Sequence, residues 1–217
     1  MPMRVIGDYA RDGYAHLLGL LPEEVTRSFL VSLKAAAGEN AIPLSQVTEF
    51  PNLLKRPAFE VYGHHYPPML HLLWGLTPTM CALTGRDLLP SYDYFRIYRE
   101  GDVCRVHHDR PSCEHSLSLT IDYSDGEPWA LEIGKEAGTP SARVTEDFGA
   151  EPFAAIEMAV GDAVLYRGVE HRHGRMTPNR NGWSAHLFLH WVDRDGPHRD
   201  HAFDGHKMPP PPNFQFA

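Results

Sequence analysis

Two short clusters in this chain carry the residue types that bind metal ions: Val103-Cys104-Arg105-Val106-His107-His108-Asp109 and, further on, Val169-Glu170-His171-Arg172-His173-Gly174-Arg175. In an extended strand, side chains alternate faces, so His107 and Asp109 point the same way and an imidazole and a carboxylate converge. His-x-Asp alone is common by chance, and it needs a third ligand. The second cluster offers one. Two imidazoles and one carboxylate form the facial set that suits non-haem iron(II) and leaves three positions open, an arrangement fitted to oxygenation. Zinc hydrolysis accepts the same ligand types, but it needs one open position and a general base, and no HExxH helix is present. His171 and His173 share a strand face, so spacing alone leaves both as candidates for the third ligand. His108 is expected to point away from the metal.

Strands must carry these clusters. From Ser91 onward, short runs rich in Tyr, Val, Ile, Leu and Phe are separated by Gly, Pro, Asp and Asn, which predicts strands near 92–99, 103–108, 116–123, 129–133, 155–158, 163–167, 171–176 and 183–192. Earlier, 13–20 reads as a strand, and Pro22-Glu23-Glu24 opens a helix with proline in its first turn and acids at its positive end. Val25, Phe29 and Leu33 mark the apolar face of that helix and Gly38 its C-cap. A Pro-containing connection near 40–66 leads to two helical pieces, 69–76 and 79–83, separated by Pro78 and stopped by Gly85.

Helices first and strands afterward predict a mainly β fold, with N-terminal helices packed on an antiparallel sandwich or barrel. The stretch 134–152 has little pattern and reads as a mobile loop. The tail after Asp193, with His198, His201, His206 and the prolines 209–212, reads as extended or poorly ordered. One domain over 1–193 is expected, with helical support in 1–90, the β core in 91–193 and a Pro/His-rich tail in 194–217.

Composition narrows the partners. With 20 Lys+Arg against 28 Asp+Glu the formal charge is −8, which would repel a phosphate backbone, so no nucleic-acid partner is expected. No apolar stretch reaches the ~18 residues of a membrane span, and the N-terminus lacks the apolar run of a signal peptide, so a cytoplasmic protein with no membrane partner is expected. Cys81, Cys104 and Cys113 have no CxxC spacing and read as reduced thiols.

Taken together, the blocks Tyr94-Phe95-Arg96-Ile97-Tyr98-Arg99-Glu100-Gly101-Asp102, His107-His108-Asp109-Arg110, Gly161-Asp162-Ala163, His173-Gly174-Arg175 and Leu187-Phe188-Leu189-His190 resemble the iron(II)/2-oxoglutarate-dependent oxygenase superfamily, in particular its prolyl-4-hydroxylase-like branch. The resemblance covers roughly residues 91–193, with a weaker match in Asp12-Gly13-Tyr14 through Leu21-Pro22-Glu23-Glu24. It implies a double-stranded β-helix, a jelly-roll or cupin-like barrel, with His107, Asp109 and His173 as the catalytic iron ligands. It implies Fe(2+), O2 and 2-oxoglutarate as cofactor and cosubstrates, with ascorbate as an accessory reductant. The reaction it implies is hydroxylation of a C–H bond with release of succinate and CO2. His173, directly before Gly-Arg, fits the pattern of the distal ligand better than His171, which then supplies a supporting hydrogen bond or is solvated.

The resemblance also asks for a cation to hold the far carboxylate of 2-oxoglutarate. Relatives place it on the last strand, where this chain has Trp183. On that strand Trp183, Ala185, Leu187, Leu189 and Trp191 form an apolar face expected to turn inward, opposite Ser184, His186, Phe188 and His190, so no cation is available there. Arg175, which shares a face with His173, is the first choice, a planar fork being suited to a carboxylate. Arg180 is the second. Tyr98 and Tyr123 are candidate hydroxyl donors, and Arg105 shares a face with His107. The substrate is left as an amino acid, a peptide or a small metabolite. The competing readings are a cupin-like metalloenzyme without 2-oxoglutarate, disfavoured by the missing cupin His-x-His pattern, and a non-catalytic ligand-binding barrel, disfavoured by the intact triad.

Overall fold

The computed structural model describes residues 3–38, 43–48 and 51–205. His206 and the prolines 209–212 lie outside the described residues. In chain order the strands are β1 (Arg4–Ile6), β2 (Tyr14–Leu18), β3 (Phe59–Tyr62), β4 (Leu88–Arg99), β5 (Cys104–His107), β6 (His115–Tyr123), β7 (Leu131–Ala137), β8 (Phe153–Ile156), β9 (Ala163–Tyr166), β10 (His171–Arg175) and β11 (Trp183–Asp193). The helices are α1 (Tyr9–Asp12), α2 (Glu23–Ala37) and α3 (Pro68–Thr84).

All pairings are antiparallel and form two sheets, of order β1-β2-β9-β6-β11-β4-β3 and β5-β10-β7-β8. The eight strands expected after Ser91 are all present. The segment before it is more than helical support, because it contributes β1, β2 and β3 to the larger sheet. No helix among the described residues is long and apolar enough to cross a membrane.

The larger sheet is buried on both faces, which changes the meaning of its alternation. Phe95, Leu117, Leu119, Leu165, Ala185, Leu187, Leu189 and Trp191 join Leu30 and Leu33 of α2 and Met69, Leu73 and Met80 of α3 in one core. The apolar face of β11 is therefore turned to the helices and not into the barrel. The opposite face, with His186, Phe188 and His190, looks toward the smaller sheet. A half-polar strand with helices outside and a polar cavity inside places its apolar residues where the larger dry volume is.

Four local expectations are corrected. The buried stripe of α2 runs through Thr26, Leu30 and Leu33, while Val25 is exposed in the first turn. Pro78 does not divide α3: the carbonyl it leaves without an N–H donor belongs to Trp74, an exposed residue that water can reach. The stretch 134–152 is not loose throughout. Its first residues extend β7 to Ala137, and Thr145 and Val106 exchange two backbone hydrogen bonds of 2.9 Å. The tail also packs back as far as Gly205: Ala202 is buried with Leu89 and Val192, and Ser91 Oγ donates to the His201 carbonyl at 2.9 Å.

Candidate metal centre

β5 and β10 are neighbours, and His107 and His173 stand directly opposite each other in their register. Their ring centroids are 4.4 Å apart. Asp109 lies just past β5, its N–H donating to the Gly168 carbonyl at 2.9 Å. One oxygen, Oδ1, is 3.7 Å from His107 Nε2 and 3.4 Å from His173 Nε2. The far ring nitrogens are engaged: His107 Nδ1 is 2.7 Å from the Arg105 carbonyl and His173 Nδ1 is 3.0 Å from the His171 carbonyl. A carbonyl only accepts, so both Nδ1 atoms carry the proton and both Nε2 atoms present lone pairs. Two lone pairs and a carboxylate oxygen then converge in a buried place, an arrangement that repels itself without a cation or a proton between them. This donor set fits iron(II).

Electrostatics follow the same geometry. Burial, joined by the neighbouring His173, lowers the pKa of His107. For His173 burial works in the opposite direction, yet the Asp109 carboxylate prevails and raises the pKa above the ordinary imidazole value. Burial would raise Asp109, but His173 and His107 beside it hold its carboxyl well below the usual range.

His171 does not join the centre. His171 and His173 are both buried on β10, on either side of the half-buried Arg172, but His171 stands one pair further along the strand, opposite Ala137 of β7 where His173 is opposite Ile133. The His171 ring donates from Nδ1 to the Gly134 carbonyl at 2.9 Å and lies against Gly13, where an added Cβ would overlap it. Its supporting role toward His173 is carried by its backbone carbonyl. His108 is outside the triad as expected, although its ring lines the adjoining cavity.

Behind Asp109 lies a buried polar group. Ser116 Oγ is 3.0 Å from Asp109 Oδ2 and 2.9 Å from His190 Nδ1. Asp109, Cys113 and His190 also cluster closely enough to suggest a second metal position. Ser116 already bridges two of the three, and burial pushes the Cys113 thiol well above its usual range, away from the thiolate a metal needs.

The cavity between the sheets measures about 310 Å3 and is lined by the triad, Tyr92, Tyr94, Arg96, Tyr98, Arg110, Tyr166, Arg175 and Phe188, with Ala142 and Val144 from the loop after β7. Arg175 is 1% exposed. It donates to the Trp129 carbonyl, lies 3.4 Å from both Ser118 Oγ and His186 Nδ1, and stacks 4.8 Å over the Trp129 ring. None of these partners is an anion. Tyr98 accepts from Arg96 Nη1 at 3.0 Å, and burial pushes its pKa up to about 12, so its own proton stays in place.

Three other candidates are not on the cavity wall. Tyr123 donates to the Met158 carbonyl and accepts from the Trp129 N–H, so it supports Trp129 and has no hydroxyl proton left for a ligand. Arg180 is exposed in the turn before β11. Arg105 turns to Glu146 at 2.7 Å and to the Leu54 carbonyl. Arg96, not singled out from sequence, is buried on the wall against Glu60 at 2.6 Å. The signal was available, since Arg96 alternates with Tyr94 and Tyr98 on one strand face.

No protein-family model matches this chain, and no curated protein matches it in sequence. Solved structures do match. The non-heme alpha ketoglutarate dependent carbocyclase SnoK from nogalamycin biosynthesis superposes with a TM-score of 0.65 at 13% identity, covering 86% of this chain and 82% of that one. HygX from Streptomyces hygroscopicus, with nickel and 2-oxoglutarate bound, gives 0.62 at 10% identity over 86% and 85%. A Pseudomonas putida prolyl-4-hydroxylase gives 0.57 at 14% identity over 84% and 95%. At these identities the likeness establishes the fold, the double-stranded β-helix of iron/2-oxoglutarate oxygenases.

Proposed function

We propose that this chain is an iron(II)- and 2-oxoglutarate-dependent dioxygenase that hydroxylates a C–H bond of an amino acid, a peptide or a small metabolite, with succinate and CO2 as coproducts. One observation carries the reading: the converging lone pairs of His107, Asp109 and His173 share a cavity with Arg175, a buried guanidinium whose hydrogen-bond partners are all uncharged. Glu132 on β7 feels the charge of Arg175 but forms no direct ion pair with it, and a buried charge is favoured only when well paired, so this cavity suits a cation at one place and an anion in direct contact at another. A metal ion with 2-oxoglutarate meets both demands. The neighbour HygX, crystallised with nickel and 2-oxoglutarate, supports the same pairing.

His107, Asp109 and His173 would hold the iron, which when bound supplies oxygen activation coupled to decarboxylation of 2-oxoglutarate. Arg175 binds the far carboxylate through its planar fork, oriented by Trp129, Ser118 and His186. The Tyr98 hydroxyl, fixed by Arg96, offers a further donor on the same wall. Ala142 and Val144 add exposed apolar surface to the cavity lining.

The test is anaerobic addition of iron(II) and 2-oxoglutarate, which should give a visible charge-transfer band as the 2-oxo acid fills two open positions. His107→Ala and Asp109→Ala should each abolish it. A band of full intensity in both variants would put the metal elsewhere.

A further inference from the structure

Charge inside the cavity differs in sign from charge on the whole chain. The protein has a formal net charge of −8, yet the cavity wall carries Arg96, Arg110 and Arg175 and only one carboxylate, Asp109, among the described residues. Two of the arginines have evident counterparts. Arg96 is paired with Glu60, and Arg175 is assigned the far carboxylate of 2-oxoglutarate. A divalent ion on two neutral imidazoles and Asp109 keeps one positive charge, which the 2-oxo-acid end of the cosubstrate balances. Arg110 is met only by a half-exposed carboxylate from the C-terminal segment, Asp204.

Arg110 directly follows Asp109 and is built into the wall. Its guanidinium lies 4.1 Å over the Tyr92 ring, Nε donates to the Tyr92 hydroxyl at 3.3 Å, and Tyr92 in turn stacks on His190 at 4.6 Å. The stack fixes the plane of the guanidinium and leaves its Nη2 edge as the donor. Facing that edge, at 3.4 Å, is the carboxylate of Asp204, with both side chains about half exposed. The C-terminal segment is held for this contact: Ala202 is buried against Leu89 and Val192, and Ser91 anchors the His201 carbonyl. The last step uses two consecutive non-glycine residues in the left-handed region, Phe203 and Asp204, at φ 54 and 57. Such a pair is uncommon and persists only where its surroundings hold it. An exposed ion pair of this length is weak, so a better placed anion can displace it.

We infer that Arg110 is the substrate-recognition cation of this site, that the substrate is a small organic acid, and that the carboxylate of Asp204 occupies the acid's place until it arrives. The inference rests on the proposed function. It adds the substrate class and an internal competitor. One cavity of about 310 Å3 must house cosubstrate and substrate together, which favours a small acid over a macromolecule. Tyr62, Leu53 and Val144 supply apolar wall for its organic part.

The experiment uses the full chain loaded with nickel(II) and 2-oxoglutarate, which holds the site without turnover. Uptake of both is measured first by calorimetry. Three matched pairs are then titrated by ligand-detected NMR: benzoate and benzamide, phenylacetate and phenylacetamide, hexanoate and hexanamide. In the wild type at least one acid should bind about tenfold or more tighter than its amide, since only the acid makes a charge-assisted bond. Arg110→Ala should erase that preference and Arg110→Lys keep part of it. Asp204→Asn should tighten the acid several-fold and leave the amide unchanged. Acids and amides that behave alike in the wild type, including when none binds, overturn the inference, as does a preference that survives Arg110→Ala. An Asp204→Asn variant with unchanged acid affinity overturns the competitor role. Failure to take up nickel and 2-oxoglutarate would instead remove the underlying functional reading.

Discussion

Asp109 uses its two oxygens for different tasks. Oδ1 faces the imidazoles, while Oδ2 is held by the Ser116 hydroxyl. Ser116 has one proton to give; with that proton on Asp109, its oxygen accepts from His190 Nδ1–H at 2.9 Å. With a metal held by Oδ1, the chain would keep Oδ2 engaged by Ser116 and leave Asp109 a one-oxygen ligand. Ser116→Ala is expected to weaken nickel binding by about 10–100-fold, the usual cost of losing a partner that orients a ligand. Ser116→Thr, which keeps the hydroxyl, should restore most of it. Calorimetric titration decides, and an unchanged affinity in Ser116→Ala would leave Ser116 with a packing role only.

Acid acts on the same centre with a definite sign. Burial disfavours the charged His173, but Asp109 prevails and its pKa is raised. Metal binding requires the neutral ring, so protons compete and affinity is lost as pH falls through that raised pKa. The loss should begin above the ~6.5 of an ordinary imidazole, and nickel titrations at pH ~6 and ~8 should differ accordingly. Equal affinities would argue against histidine ligation. At this scale the triad was legible because alternation along a strand makes His-x-Asp converge. The choice against His171 was legible only by resemblance, since both histidines are buried on β10 and His171 is set apart by what its ring meets, the Gly134 carbonyl and Gly13, which no residue type near it announces.

At the scale of elements, the strands were readable and their facing was not. Tyr, Val, Ile and Leu runs between turn residues located the eight strands from β4 to β11, but alternation distinguishes two faces without saying which is inside. On β11 the apolar face packs on α2 and α3, so the polar face with His186 and His190 became the cavity wall. β1 and β3 escaped notice because three or four mostly exposed or half-buried residues leave little pattern. Close packing between elements yields a sharper test. A Cβ on Gly168 would overlap Asp109 Oδ2 and come within 2.8 Å of the Cys113 carbonyl, so Gly168→Ala must displace the ligand carboxylate. Nickel affinity should fall by more than about tenfold while the β-sheet circular dichroism is kept. Gly75, inside α3 with nothing near its Cβ position, is the contrasting case: Gly75→Ala should leave binding alone and add up to about 1 kcal/mol of stability through helix propensity, read by chemical denaturation. Full nickel binding in Gly168→Ala would mean that the carboxylate has room the packing denies it.

For the molecule as a whole, the two sheets are linked across a cavity whose charges are unmatched in the isolated chain. The metal-binding atoms of His107, Asp109 and His173 repel one another, and Arg175 makes direct hydrogen bonds only to uncharged groups, so bound metal and 2-oxoglutarate should act as missing structural members. A ligand that binds only the folded state adds about 2.7 kcal/mol at a concentration 100 times its Kd. For a chain of this size that corresponds to a rise in Tm of about 5–10 °C. The two ligands should also depend on each other. If 2-oxoglutarate binds the ion at one end and Arg175 at the other, it should raise Tm little without metal and add a second increment with nickel. Arg175→Ala should keep the nickel increment and lose most of the 2-oxoglutarate one, consistent with about 2–5 kcal/mol for removing one partner of a buried charge pair. Arg175→Lys should recover only part, because an ammonium lacks the planar fork. Arg180→Ala, altering an exposed turn residue, serves as the control and should melt like the wild type under every condition. A full 2-oxoglutarate increment in Arg175→Ala together with its loss in Arg180→Ala would move the anchor to the turn before β11 and overturn the assignment.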